Sequence, residues 1–209
     1  MGFNSDTFYG VNQLYPEPEL AMKKYAGNIF LDFNPTDKIN FSLSSGIQYS
    51  KAMRVAIENE YTPLSHTVSD SRYIDWRASV KGLTAQLSYN KGKQTMELMP
   101  GNTFDFSVFD ATVEYNFSRG NFSLRPGLTY NKAIYDDTPY SDTINKTGIF
   151  NARGEISTQS ASLRGEYKLF NGSTRMVAGI KANQFNYPDT MYLSYQLAIT
   201  HKLNKNHLL

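Results

Sequence analysis

The stretch LSHTVSDS places Ser65, His66, Ser69 and Asp70 close together. A hydroxyl, an imidazole and a carboxylate are the groups of nucleophilic catalysis, in which a base takes the serine proton and a third group holds the base. That chemistry needs the side chains pinned against one another. Nothing in this polar stretch pins them, and it reads as solvated loop. Met96 and Met99, with His66, are soft ligands of the kind copper prefers, but loop plasticity is the plainer account of them. His66, His201 and His207 stand in separate segments and form no ligand cluster. There is no Cys, so disulfides and thiolate metal sites are excluded. No cofactor is implied and no enzyme is expected. Asn116, Asn121, Asn145 and Asn171 begin glycosylation-type triplets. Three of them lie in or beside tight turns, where Asn serves the turn itself.

The remaining chemistry-bearing groups are charges: Asp32, Asp75, Arg77, Asp110, Glu114, Arg125, Arg164 and Glu166. Each sits inside a segment whose apolar residues recur with period two. In KINFSLSSGIQYS the odd positions are Ile39, Phe41, Leu43, Ser45, Ile47 and Tyr49, and the even ones include Asn40, Ser42, Ser44 and Gln48. Successive strand residues point to opposite faces, so this is a strand with one apolar and one polar side. The same alternation runs through Tyr25–Phe33, Tyr73–Val80, Leu83–Asn90, Phe109–Phe117, Phe122–Asn131, Ala161–Leu169, Arg175–Ala182 and Met191–Thr200, which makes about nine strands. In each of them the charges fall on the polar side.

The connections alternate as well. Short Gly, Asn, Asp and Pro turns are expected near 34–37, 81–82, 118–121, 170–173 and 203–206. Long polar loops are expected near 51–72, 91–103 and 136–153, and residues 1–24 read as a loop-like lead-in to a single unit. Helical periodicity is confined to Glu19–Lys24, and no apolar run approaches the roughly 20 residues of a spanning helix. Mean hydropathy is −0.47 and net charge +2, with Lys and Arg scattered, so nothing suggests a nucleic-acid partner.

Alternation alone leaves two solvents for the apolar face. It can be the core of a soluble β-sandwich or lipocalin-like barrel, or it can meet lipid while the polar face lines a lumen. Strand length, the contrast of short turns with long loops, aromatics near both strand ends and charges at mid-strand favour lipid. The expected fold is all-β, an up-and-down antiparallel transmembrane β-barrel segment. Its strand count is odd, and HKLNKNHLL just begins a strand beyond a turn, so an open or incomplete barrel is expected. Unpaired edges do not insert into lipid, and such a chain expressed alone should aggregate.

The segments YAGNIFLDFNPTDKINFSLSSGIQYS, FDATVEYNFSRGNFSLRPGLTYNKAIYDD and YLSYQLAITHKLNKNHLL resemble the barrel of TonB-dependent outer-membrane receptors. The resemblance implies an interior piece of a barrel of about 22 strands. It also implies a bacterial outer-membrane location, a lipid environment and energy-coupled import of a scarce small ligand (a siderophore, cobalamin, a sugar or a peptide). The parent would carry a plug domain and engage an energy-coupling protein. A small structural or adhesive outer-membrane barrel and a passive porin are the alternatives. Ligand-contact candidates are Tyr61, His66, Phe104 and Tyr140 in the expected loops. The eight charges above either steady the wall as cross-strand pairs or meet a plug or passing solute.

Overall fold

The computed structural model describes residues 22–55, 64–96, 103–141, 148–149, 151–204 and 207–208. They form one antiparallel sheet. Its strands are β1 (Met22–Thr36), β2 (Ile39–Val55), β3 (Leu64–Val80), β4 (Leu83–Met96), β5 (Thr103–Tyr115), β6 (Phe117–Arg119), β7 (Phe122–Asp136), β8 (Arg153–Leu169), β9 (Thr174–Asn186), β10 (Asp189–Asn204) and β11 (His207–Leu208). Each long strand pairs with the next in the chain, with no crossover. The sheet is open, running from β1 to β11, and β6 continues the line of β5 by pairing with β7.

Nine long strands match the alternation. Tight turns stand at 37–38, 81–82, 120–121 and 170–173. β1 runs on to Thr36 through an irregular register after Phe33, which leaves a turn at Asp37 and Lys38. Lys81 (φ 48°) and Gly82 (φ 92°) make the β3–β4 turn with the two positive φ values of a hairpin matched to strand twist. The turn expected at 203–206 falls partly outside the described residues.

The loop-side boundaries differ from the sequence reading. The loop expected over 51–72 shrinks, because β2 persists to Val55 and β3 starts at Leu64. Likewise β4 persists to Met96 within the loop expected over 91–103. The lead-in expected to end at 24 gives way to β1 at Met22, and the rest of it lies outside the described residues. The physical reason is common to all three. Beyond the apolar zone both faces of a strand meet water, so the period-two signal fades although the backbone ladder continues.

Among the described residues nothing covers the apolar side. Ile29 is 66% exposed, Leu31 59%, Leu128 64% and Leu197 71%, and Val177 is the one buried apolar side chain among the described residues. A soluble sandwich would enclose these side chains in a dry core, and none forms among the described residues. A sheet this apolar on one side is stable where that side meets lipid. Aromatics mark the limits of the lipid face. Tyr25 and Tyr49 stack at 6.3 Å and Phe109 and Tyr130 lie at 6.1 Å toward the loops, while Phe33 and Phe41 stack at 6.5 Å toward the turns. Eight residues separate Tyr25 from Phe33, about 26 Å along a strand, the scale of the apolar band of a membrane barrel at about 25 Å.

Candidate functional site

The opposite face gathers the polar groups in register. One row runs Asp32, Ser42, Arg77, Gln86, Thr112, Thr129, Ser160, Asn183. The next, toward the loops, runs Phe30, Ser44, Asp75, Ser88, Asp110, Asn131, Thr158, Phe185. All eight charges singled out in the sequence lie on this face.

Across β3 to β7 two carboxylates, Asp75 and Asp110, are satisfied by neighbours. Asp75 accepts from Arg77 Nε at 2.8 Å and from Gln86 Nε2 at 2.8 Å. Asp110 accepts from Asn131 Nδ2. Further along, Ser160 donates to Asn183 at 2.8 Å. The Arg77 bond lies within β3, while those of Gln86, Asn131 and Ser160 cross to a neighbouring strand and tie the two together. Toward the turns on β7 to β9 the balance changes. Arg125 and Arg164 are directly opposed, and a groove there is lined by Glu114, Arg125, Arg164, Lys181 and Gln196. Glu166 takes Arg175 Nη2 at 2.5 Å and lies 4.0 Å from Lys168. The lower wall is therefore basic.

The loop end of this face is aromatic. Phe104 lies 6.5 Å from Phe106 and 6.1 Å from Tyr135. Phe185 meets Tyr192 edge-on at 5.7 Å. Two glycines make room for rings. A Cβ on Gly92 would stand 2.7 Å from the Phe106 ring, and one on Gly46 would stand 2.7 Å from Tyr73, whose hydroxyl donates to Asn28 at 3.0 Å. Flat rings over backbone, beside amide and hydroxyl groups, form a surface suited to an amphipathic solute.

The segment after β7 is organised around Asp137, which is fully buried. Its carboxylate accepts from the backbone N–H of Asn151 at 2.9 Å and of Ala152 at 3.0 Å, while its carbonyl accepts from the N–H groups of Tyr140 and Ser141. Tyr140 is held at the rim: its hydroxyl donates to Asp105 at 3.1 Å and Lys93 Nζ lies 4.4 Å over its ring.

Phe104 thus joins the aromatic shelf, Tyr140 sits apart on the rim, and Tyr61 lies outside the described residues. His66 is on β3 opposite Met53. It shares a face with Asp70, about 13 Å away along the strand, and Ser69 alternates to the other face, so no triad forms. Met96 pairs with Thr67 and so lies on the face opposite His66, while Met99 is outside the described residues. His201 is on β10, where Nδ1 lies 2.7 Å from Thr174 Oγ1. Among the described residues no metal-binding cluster occurs. Phe106, Tyr135, Phe185 and Tyr192 went unnoticed in the sequence. Their signal was present: the even positions of β5 turn from Glu114, Thr112 and Asp110 to Val108, Phe106 and Phe104.

No protein-family model and no curated protein matches the chain. Solved structures match its fold. The siderophore receptor PirA from Pseudomonas aeruginosa superposes with a TM-score of 0.64 at 10% identity, over 88% of this chain and 31% of that one. The ferric enterobactin receptor PfeA gives 0.66 at 14%, over 88% and 32%. The copper transporter OprC gives 0.57 at 11%, over 88% and 35%. The fold is that of an outer-membrane β-barrel wall. The chain spans about a third of the length of the proteins it matches.

Proposed function

We propose that this chain is part of the wall of a bacterial outer-membrane receptor that binds a scarce small molecule and imports it with energy coupling. The observation that carries the reading is the polar face itself. It passes from an aromatic shelf at the loop end, through a hydrogen-bonded middle, to a basic wall near the turns. Likeness of fold to receptors for siderophores and to a copper transporter supports the same reading. Phe104, Phe106 and Tyr135 are the first-contact residues of the shelf, since base-like or catechol-like rings stack on aromatic faces. The charges of the lower wall face a plug domain or the passing solute. A plug and an energy-coupling protein complete the parent.

The test is uptake. Cells expressing the parent protein are given radio-iron as ferric enterobactin, and in parallel labelled cobalamin, with and without a protonophore. Uptake of one probe should vanish on gene disruption and on collapse of the proton gradient. Uptake that depends on the gene but ignores the protonophore would replace the receptor with a passive porin. Deleting residues 57–62 should abolish uptake while the barrel still assembles, because loops carry recognition and the strands flanking them carry register. Unchanged uptake by that deletion would remove the loop from the site.

A further inference from the structure

The loop end of β8 is paired on one side only. β7 accompanies β8 to its first residue, where Asp136 stands opposite Arg153. β9 stops short. Its topmost pair with β8 is Phe185 with Thr158, and the chain turns straight back into β10 at Asp189. Residues 153–157 therefore form a strand edge, and among the described residues no other loop-side step in the sheet leaves so long an overhang. The edge comes from the tightness of the β9–β10 hairpin, so it belongs to this chain whatever pairs with β1 and β10 in the parent.

One side chain already lies along it. Asn186 ends β9, and its amide does what the next peptide unit of β9 would do. Its Oδ1 accepts from the N–H of Ser157 at 2.7 Å, and its Nδ2 donates to the carbonyl of Glu155 at 3.1 Å. The N–H and C=O of one strand residue point to the same side, and those of the next residue to the other. The N–H of Glu155 and the backbone groups of Arg153 thus face the same edge, while Gly154 and Ile156 bond toward β7. Such an edge is a template for a further strand. The side chains beside it define what fits. On the polar face they are Gly154 and Ile156, opposite Tyr135 and Ala133. A Cβ on Gly154 would meet only the Tyr135 carbonyl, at 3.9 Å. Ile156 is 48% exposed, and Phe185 lies just below it on the last rung of β9. On the other face Glu155 is held by Lys132 at 2.6 Å.

We propose that residues 153–157 dock an extended peptide, which adds antiparallel to β8 in line with β9. The peptide displaces the Asn186 amide, takes over its two hydrogen bonds and carries the ladder on to Arg153. Main-chain bonds give the affinity and alternate side chains the selection. A large apolar residue opposite Ile156 packs onto Ile156 and Phe185, and the residue opposite Gly154 points along the open strip beside Tyr135. This binding goes beyond import, since it needs the edge alone and no energy coupling.

The experiment uses the whole parent protein in mild detergent and a fluorescein-labelled hexapeptide of alternating threonine and valine. A depsipeptide twin, with esters in place of amides, keeps the side chains and loses the N–H donors. Fluorescence anisotropy reads binding, and hydrogen exchange reads the amide of Glu155. The site predicts fast exchange at Glu155 in the free protein, about tenfold slower exchange with the hexapeptide, and no slowing with the twin. Ser157→Pro removes a donor from the open edge and leaves the β7 ladder intact; it should weaken binding about tenfold. Asn186→Ala should tighten binding about threefold, because no amide has to be displaced. Failure of the hexapeptide to bind, equal binding of the twin, undiminished binding by Ser157→Pro, or weaker binding by Asn186→Ala would overturn the site. So would slow exchange at Glu155 before any peptide is added, which would show the edge already covered by the protein's own chain. The comparison of hexapeptide with twin on the unaltered protein decides the matter even where the proline variant fails to assemble.

Discussion

The lipid face and the polar face are cut from the same strands, yet they hold the sheet by different means. On the lipid face Leu31, Leu43, Trp76 and Leu87 form one row, and no one of them needs a particular partner. What matters there is depth and charge, because the surrounding medium is a uniform apolar solvent. On the polar face one row later, Asp75 needs Arg77 and Gln86, and Asp110 needs Asn131. What matters there is identity and geometry. The same substitution one residue apart should therefore have unrelated consequences, and so should the same chemistry in two parts of the polar face.

The largest expected effect compares neighbours on β2. In the full parent barrel Leu43→Arg should cost about 2 to 4 kcal/mol, as for a cation near the bilayer midplane. Ser44→Arg should cost under about 1 kcal/mol, since a polar-face cation keeps its water. Folding into vesicles followed by denaturant titration reads both, and equal losses would break the contrast. Glycines give the next largest. Gly46→Val drives a side chain into the Tyr73 ring and should cost about 1 to 3 kcal/mol. Gly27→Val, on the lipid face with nothing within 4 Å of its Cβ, should stay within about 0.5 kcal/mol of neutral. The smallest effect sharpens the two halves of the polar face. Asp75→Ala leaves two donors without an acceptor and should cost about 1 kcal/mol in the same titration. Arg125→Gln should cost nothing and can add about 0.2 to 1 kcal/mol by relieving the opposed Arg164. A loss on Arg125→Gln matching that of Asp75→Ala would mean that the basic wall is already satisfied within the sheet.

Much of this was legible in the sequence because alternation is a direct image of a two-solvent sheet. Leu43 and Ser44 announce their faces without any knowledge of the fold. Legibility ended where the solvents became alike. Over Lys51–Val55 and Leu64–Arg72 alternation lapses although the ladder continues, and the pattern there resembles a loop. The eight charges were visible one by one, but the opposition of Arg125 to Arg164 depends on register, which single-strand patterns do not carry. Tyr140 looked like a free loop aromatic, and only the fold around Asp137 brings it to Asp105 and Lys93. Phe106 and Tyr135 were overlooked because apolar residues on a polar face read as noise until a neighbouring strand places them together.

The central claim is that the apolar face meets lipid and the polar face meets water. The chain has no cysteine of its own, so single cysteines can be placed at each position from Ile39 to Val55 in the parent barrel, spin-labelled, and exposed to oxygen and to a water-soluble nickel chelate. The prediction is oxygen access peaking at Phe41, Leu43 and Ile47, nickel access peaking at Asn40, Ser42 and Ser44, and loss of the oxygen alternation beyond Lys51. Labels at Phe41, Leu43 and Ile47 shielded from oxygen and nickel alike would reveal a dry protein core on that side, and would contradict the account.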